Sequence, residues 1–359
     1  TKAPDTWVTG DMQMRNSTER REFEIAFNGK DPTHNNLLID CLECILGYCP
    51  LPPVDNDEIE DTPRLWSQWA TWGSALPVDG DEVVIDRNWW VLLDIAETPR
   101  LKSLEINGRL SFKDDATLPN VKLQSETIFV RAGELIIGAS DAPFSQNAFI
   151  ELLGDSSSDS LTLTGTVAAG NKVLATSGLV ELHGLPRSRM SRLEADAPAG
   201  ATTITVGTGL DWQVGEYIYL APSTVQETYS EYRTITAISG NVLTLNTALD
   251  YYHYGAAVST AADFNGIDMR TEVFLLTRNV KIQGEDNSNW SGQVLVTDIC
   301  ESDGEVREGS LVMDHVQVYN CSQRDTPNSA IRFEQAVGGS SRISNSAIHH
   351  GQDRAMTIL

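Results

Sequence analysis

Three short stretches near the end of the chain carry the side chains best suited to chemistry: Asp314-His315, Arg332-Phe333-Glu334 and His349-His350-Gly351-Gln352-Asp353-Arg354. Carboxylates and imidazoles that meet on one exposed face can pass protons across a bond, and a pair of carboxylates flanking a glycosidic bond is the usual machinery for cutting a polysaccharide. Asp314, Glu334 and Asp353 fall on successive passes of a strand-rich chain, so stacking would bring them to one face, with His349 as a fourth candidate. The same residues have a structural use. Asp314 and Asp353 suit hydrogen bonds to turn backbone, and Arg332 or Arg354 suits neutralising a neighbouring carboxylate. Adjacent side chains in a strand point to opposite faces, so only one of His349 and His350 is expected to face outward beside Asp353. No nucleophile elbow, P-loop or HExxH motif is present, which leaves common hydrolase, nucleotide and metalloprotease chemistry without support.

The elements that must position these groups are strands. Residues 66–112 hold five tryptophans, a turn at Pro77 to Gly80, and β-rich runs at 82–86, 90–95 and 101–106, each bounded by turn residues. Ile85, Ile106, Ile128, Ile150 and Val173 follow at steps of 21, 22, 22 and 23 residues. So even a step predicts a solenoid in which each coil lays one apolar residue above the last. Trp66, Trp69 and Trp72 precede the first coil and are expected to plug its open end. Glycines at 80, 108, 133, 138, 154, 165, 178 and 184 mark the corners, where the chain turns sharply and positive φ is often needed. Over 187–260 the character changes to alternating strands joined by Gly-containing turns (TTITV, YIYLA, EYRTITAI, NVLTLNTAL), as in a small inserted antiparallel module. Tyr251-Tyr252-His253-Tyr254 closes it as an aromatic cluster, read as hinge packing. From 261 to 359 the solenoid rhythm returns with longer coils. Val318 and Ile348, 30 residues apart, take equivalent places, and Asn320 and Asn345 follow strands as turn-closing asparagines do. This segment reads as a right-handed parallel β-helix, the hand taken from the rule for parallel crossovers.

Composition limits the partners. With 26 Lys plus Arg against 50 Asp plus Glu, the net charge is −24, which repels nucleic acid and anionic membranes. No apolar run is long enough to span a bilayer. The chain starts at Thr1 without an initiator Met and stops at Leu359 within a strand-like run, as an internal piece of something longer would. Residues 1–54 read as the tail of a preceding β domain, and 55–65 as an acidic linker. The five carboxylates of Asp55 to Asp61 offer Ca²⁺ ligands without the Gly and terminal Glu of an EF-hand loop, so the run reads as solvated linker and no cofactor is expected. Cys41, Cys44 and Cys49 supply three thiols with no nearby His, one ligand short of a zinc site. Disulfides fit better, one between two of these three and one between Cys300 and Cys321. Sequons at Asn16, Asn289 and Asn320 agree with an exported glycoprotein.

The run WSQWATWG…LPVDGDEVVI…VLLD…LKSLEINGRLSF…IFVRAGELIIG…PFSQNAFIELLG resembles the G8 domain, placed at 66–186. The downstream segments VELHG, LDWQVGEYIYLA, TEVFLLTRNVKIQGE, LVMDHVQVYNCSQ and SSRISNSAIHHGQDRAMTI are similar to the continuation found in fibrocystins and in cell-surface hyaluronan-degrading proteins. The resemblance implies an all-β fold: a G8 β-solenoid, then the inserted antiparallel module, then the parallel β-helix. It also implies a large glycoprotein at the extracellular, ciliary or flagellar surface, with other coat proteins or a polysaccharide as partners. In the hyaluronan-cleaving members, the coil before the paired histidines carries an Ile-His-Phe-His run. Here it reads Ala330-Ile331-Arg332-Phe333-Glu334, so a cation and a carboxylate replace both imidazoles. The expected role is therefore a non-catalytic structural and interaction segment; the alternative is a depolymerase of acidic polysaccharides of the hyaluronan type.

Overall fold

Alternation decides which side chains go inside. Glu82–Ile85, Trp90–Leu93 and Arg109–Phe112 bury every second residue, as strands packed on one face must. The structure, a computed structural model, describes residues 59–73, 75–255, 267–286, 290–301 and 304–359, together with the backbone of Glu22–Ile25 and Thr33–Asn36, which pair antiparallel. Most of the acidic linker, Cys41, Cys44, Cys49, Asn16 and Asn289 lie outside the described residues.

Apart from an inserted antiparallel module and a short antiparallel pair, the other strands wind into a three-sided parallel β-helix. A front sheet stacks residues 120–125, Asn147–Leu152, Val280–Gly284, Val316–Tyr319 and Ala347–His349. A side sheet stacks Glu82–Ile85, Leu101–Ile106, residues 127–130, Val173–Thr176, Gln293–Val296, Ile331–Phe333 and Met356–Ile358. The long strand Asn120–Val130 turns through the corner between them, joining both into one 11-stranded sheet. A 7-stranded back sheet, from Arg64–Leu65 to Arg342–Ser344, closes the third side. Strands on either side of residue 186 pair directly (Ile150 with Ile282, Val180 with Leu311), so the earlier and later coils form one continuous helix.

The interior is a set of apolar columns. On the side sheet Val83, Leu104, Ile128, Leu174, Val294 and Ile331 lie in register; on the front sheet Leu123, Ile150, Ile282, Val318 and Ile348 do. Each fully buried Leu or Ile contributes on the order of 2 kcal/mol, and no coil could bury this face alone. The expected ladder holds for its first step, Ile85 on Ile106. Ile106 then meets Val130 rather than Ile128, and Ile150 belongs to the front sheet above Leu123. At the open end Trp66 is buried and edge-on to Trp72 at 4.8 Å, whereas Trp69 is 66% exposed.

The corner between side and back sheets is built from stacked glycines. A Cβ on Gly133 would stand 2.0 Å from the carbonyl oxygen of Gly108, one on Gly178 2.4 Å from that of Gly133, and one on Gly339 2.0 Å from that of Gly309. These carbonyls accept the inter-coil bonds, from Glu134 N to Gly108 O and from Leu179 N to Gly133 O. The glycines here serve close approach of backbones, not positive φ. Gly133→Ala should therefore lower stability by about 3 kcal/mol, the upper range for overpacking against atoms that cannot yield. A denaturant midpoint indistinguishable from the parent would refute this account of the corner.

Between the back strand Leu179–His183 and the front strand Val280–Gly284, the chain leaves the helix and builds a 6-stranded antiparallel sheet. Its strand order is Met190–Arg192, Glu272–Leu275, Tyr217–Leu220, Glu231–Ser239, Val242–Leu245, Thr203–Thr205. The strand Glu272–Leu275 lies beyond the 187–260 span expected from sequence. Its core is separate from that of the helix, around Trp212, Ile218, Ile235, Leu243 and Val273. Within it Tyr229 and Tyr251 stack at 4.2 Å, and His253 Nε2 lies 3.0 Å from Glu231 Oε1.

Candidate functional site

The carboxylates proposed for chemistry do not converge. Asp314 ends a back-sheet strand, where it accepts from Ser344 Oγ (2.7 Å) and Asn345 Nδ2 (2.8 Å) and pairs with His315 Nδ1 (3.2 Å). Burial works to raise its pKa, but these hydrogen bonds outweigh it and hold the carboxyl below its ordinary value. Glu334 follows a side-sheet strand and accepts from Arg332 Nη1 at 2.9 Å, while Arg332 Nη2 donates to Ala168 O at 2.7 Å. Asp353 sits in the exposed turn between the last front and side strands, its backbone N–H donating to Ser322 Oγ at 2.7 Å. Three different corners of the helix thus hold the three groups.

His349 does lie in a cluster. It faces outward from the last front strand, yet it is only 8% exposed because the inserted module covers it. His350 turns to the same side, contrary to strict alternation, because its φ of 56° takes it out of the strand into the left-handed region. Nδ1 of one ring then lies 2.7 Å from Nδ1 of the other. Around them stand Tyr319 of the neighbouring front strand, 5.4 Å from each ring, and Tyr217 and Tyr232 of the module, 5.5 and 4.7 Å from His350. Tyr217 and Tyr232 are themselves stacked, 5.8 Å apart and 10° from parallel.

The hydrogen bonds fix the direction of the whole chain of groups. Arg278 N–H donates to Gln317 Oε1 at 3.0 Å, so Gln317 Nε2 is the atom that donates to His349 Nε2, at 2.9 Å. His349 therefore carries its proton on Nδ1 and donates to His350 Nδ1. His350 in turn carries its proton on Nε2, 3.3 Å from the Tyr217 hydroxyl oxygen, and the Tyr217 O–H is left free to donate outward. Burial, then the charges of His350, Lys281 and Arg278, push the His349 pKa down to about 4, so the ring is neutral near pH 7. Burial also lowers His350 and raises the Tyr217 and Tyr232 hydroxyls. Such a neutral, directional chain of groups can orient a hydrogen-bond donor. The tyrosines escaped notice in the sequence, although YIYLA carried the signal: Ile218 and Leu220 take the module's core, and Tyr217 and Tyr219 alternate onto the opposite face.

The expected bridge between Cys300 and Cys321 is absent from the structure. Cys321 is a buried thiol, pushed up to about 12 by burial, and is not bridged to Cys300. It aligns with Gly292 before the side strand Gln293–Val296, whereas Cys300 follows that strand, so the turn of the coil keeps the two apart. The Asn320 side chain is engaged in the turn of the coil. Its Nδ2 donates to Gly284 O at 3.0 Å, and its Oδ1 accepts from Ser291 Oγ at 2.7 Å, closing the corner at φ 50°. Intact-mass analysis of chain made in secretory cells should find Asn320 unmodified; a glycan there at high occupancy would contradict this corner.

Among the described residues, no group of three or more His, Cys, Asp or Glu is placed to hold a metal ion, and no helix is long and apolar enough to cross a membrane. Residues 71–194 match the family model of the G8 domain. The chain is 29% identical to human (Homo sapiens) fibrocystin-L over 88% of its length, and 35% identical to mouse (Mus musculus) fibrocystin-L over 64%. It is 29% identical to dog (Canis lupus familiaris) fibrocystin over 79%. It spans less than a tenth of each of these relatives, 8%, 5% and 7% respectively. Among solved structures, the tailspike gp61 of Pseudomonas phage phi297 aligns at a TM-score of 0.26 and 12% identity, covering 63% of this chain and 39% of the tailspike. The tailspike Gp54 of Acinetobacter baumannii phage AP22, solved with a capsular saccharide, aligns at 0.24 and 12%, covering 68% and 32%.

Proposed function

Since the chain carries a G8 domain and is similar to fibrocystins over most of its length, we propose that it is a non-catalytic structural and interaction segment of a large extracellular glycoprotein of the cell or ciliary surface. The observation that carries this reading is the separation of Asp314, Glu334 and Asp353. A glycosidase needs two carboxyl groups facing one bond, whereas here Asp314 and Glu334 are held by their own corner partners and Asp353 stands apart in an exposed turn. A continuous column of stacked coils suits a stiff spacer, and the inserted module gives it a face distinct from the helix. A depolymerase of acidic polysaccharides is the second reading, favoured only by the Tyr217–His350–His349 relay, whose groups can move protons.

Product size decides between them. Incubated with high-molecular-weight hyaluronan and other acidic polysaccharides, with and without Ca²⁺, the chain should leave polymer length unchanged. Shortening that His350→Ala abolishes would replace the first reading with the second.

A further inference from the structure

A cleft of about 350 Å³ lies on the outer face of the side sheet, between its first strands and residues 159–162 of the loop that follows Leu152. Alternation sets its floor. Leu104 and Ile128 point into the helix, so Ser103 and Thr127 point out, and strand pairing aligns them with Glu82 in one row. The loop that forms the wall is held by its own bonds. Asp155 Oδ1 accepts from Ser157 N–H at 2.8 Å, Asn171 Nδ2 donates to Ser158 O at 2.7 Å, and Leu161 N–H donates to Gly170 O at 2.7 Å. The lining carries three carboxylates and one ammonium. That ammonium is already answered, since Lys102 Nζ lies 2.8 Å from Glu82 Oε1 and 3.6 Å from Asp159 Oδ2. Glu126 is partly buried, and neither its carboxylate nor the Thr127 hydroxyl has a hydrogen-bond or ion-pair partner among the described residues. Thr127 is only 8% exposed, so its hydroxyl is largely withdrawn from bulk water without gaining a partner inside the fold.

We infer that this cleft takes the arginine side chain of a partner protein. A guanidinium spreads five N–H donors in one plane and brings the positive charge that the lining lacks. Two donors suit the Glu126 carboxylate, and the others suit the hydroxyl oxygens of Thr127 and Ser103. The aliphatic stem finds apolar surface at Leu161, which also lines the cleft. A lysine would supply the charge as a point with three donors, and so would answer fewer of these acceptors. An anionic ligand would meet carboxylates of its own sign. The net charge of −24 steers basic segments toward the chain, and an arginine seated in a cleft is a common anchor of a protein interface. The inference rests on the interaction reading above and gives it the chemistry of one contact.

Titration of the whole chain with Nα-acetyl-arginine amide, followed by NMR, tests it, with the uncharged citrulline and the lysine analogues as controls. The arginine probe should saturate and bind about tenfold more tightly than citrulline, the value of a charge-assisted contact. Glu126→Gln should erase that preference, and Thr127→Val should weaken the arginine probe several-fold. Glu227→Gln, which removes an exposed carboxylate from the inserted module, should change nothing and so excludes a general charge effect. Melting curves confirm that each variant is folded. Absence of saturation, or a preference that survives in Glu126→Gln, overturns the site. A lysine probe that binds as tightly as arginine overturns the guanidinium assignment. The polymer-length assay above moves independently of these results. Failure of the arginine probe with polymer intact removes this contact alone, whereas saturable arginine binding with shortened polymer removes the non-catalytic reading alone.

Discussion

Glu301→Ala is expected to destabilise the β-helix by about 3–5 kcal/mol, the cost of leaving a buried charge without its partner. Glu301 accepts from Arg131 Nε at 2.9 Å and from Nη2 at 2.8 Å, a two-pronged pair whose side chains are 0% and 4% exposed. Arg131 directly follows the side strand that includes residues 127–130, and its backbone N–H donates to Ile106 O, one coil below. Glu301 lies 170 residues later, beyond the inserted module, so the pair ties coils formed at opposite ends of the folding chain. The remaining arm of Arg131 reaches Glu105 at 3.3 Å, a partly exposed carboxylate that cannot replace a bidentate buried one. Denaturant unfolding and hydrogen exchange across residues 293–314 measure the loss. Replacing both partners by apolar residues should recover much of it, because the desolvation penalty disappears with the charges. A single variant within 1 kcal/mol of the parent would mean that water reaches Arg131 when its partner is gone.

The coil rhythm was readable because stacking demands it: Val318 does lie on Ile348, and Ile85 on Ile106. The middle of the ladder was not, because periodicity counts residues while the helix has three sides. Asn120–Val130 serves two sheets in one strand, so Ile128 and Ile150, 22 residues apart, belong to different faces. Corner glycines were legible as corners but not by mechanism; Gly80 and Gly154 do have positive φ, whereas Gly108, Gly133 and Gly178 are there because a neighbouring carbonyl leaves no room for a Cβ. The candidate site was half legible. Paired histidines announce themselves in sequence, but a left-handed corner that turns His350 back beside His349 does not. Tyr217 stands 133 residues from His350, and only the return of the inserted module onto the front sheet brings them together.

That return also makes stability depend on pH in a window set by one ring. His349 titrates at about 4 in the folded chain, against about 6.5 when unfolded. Between these values the unfolded state binds the extra proton, so folding is favoured as pH rises and disfavoured as it falls. Stability is constant from this group above pH ~6.5 and declines as pH drops to ~4, by about 3 kcal/mol in all. Carboxylates held low, such as Asp115 and Asp268 at about 2, contribute their losses mainly below that window. The molecular cause is explicit. Gln317 Nε2 already donates to His349 Nε2, so a proton added there sets two donors against each other, beside the cations of Lys281 and Arg278. Urea midpoints at pH 7, 5.5 and 4.5 should fall steeply in the parent and less steeply in His349→Asn, which keeps a donor near the Nδ1 position and cannot titrate. Equal slopes would show that His349 already accepts a proton in the folded chain. A shallower slope would place the weak point at the seam, since the apolar columns named above hold only Val, Leu and Ile.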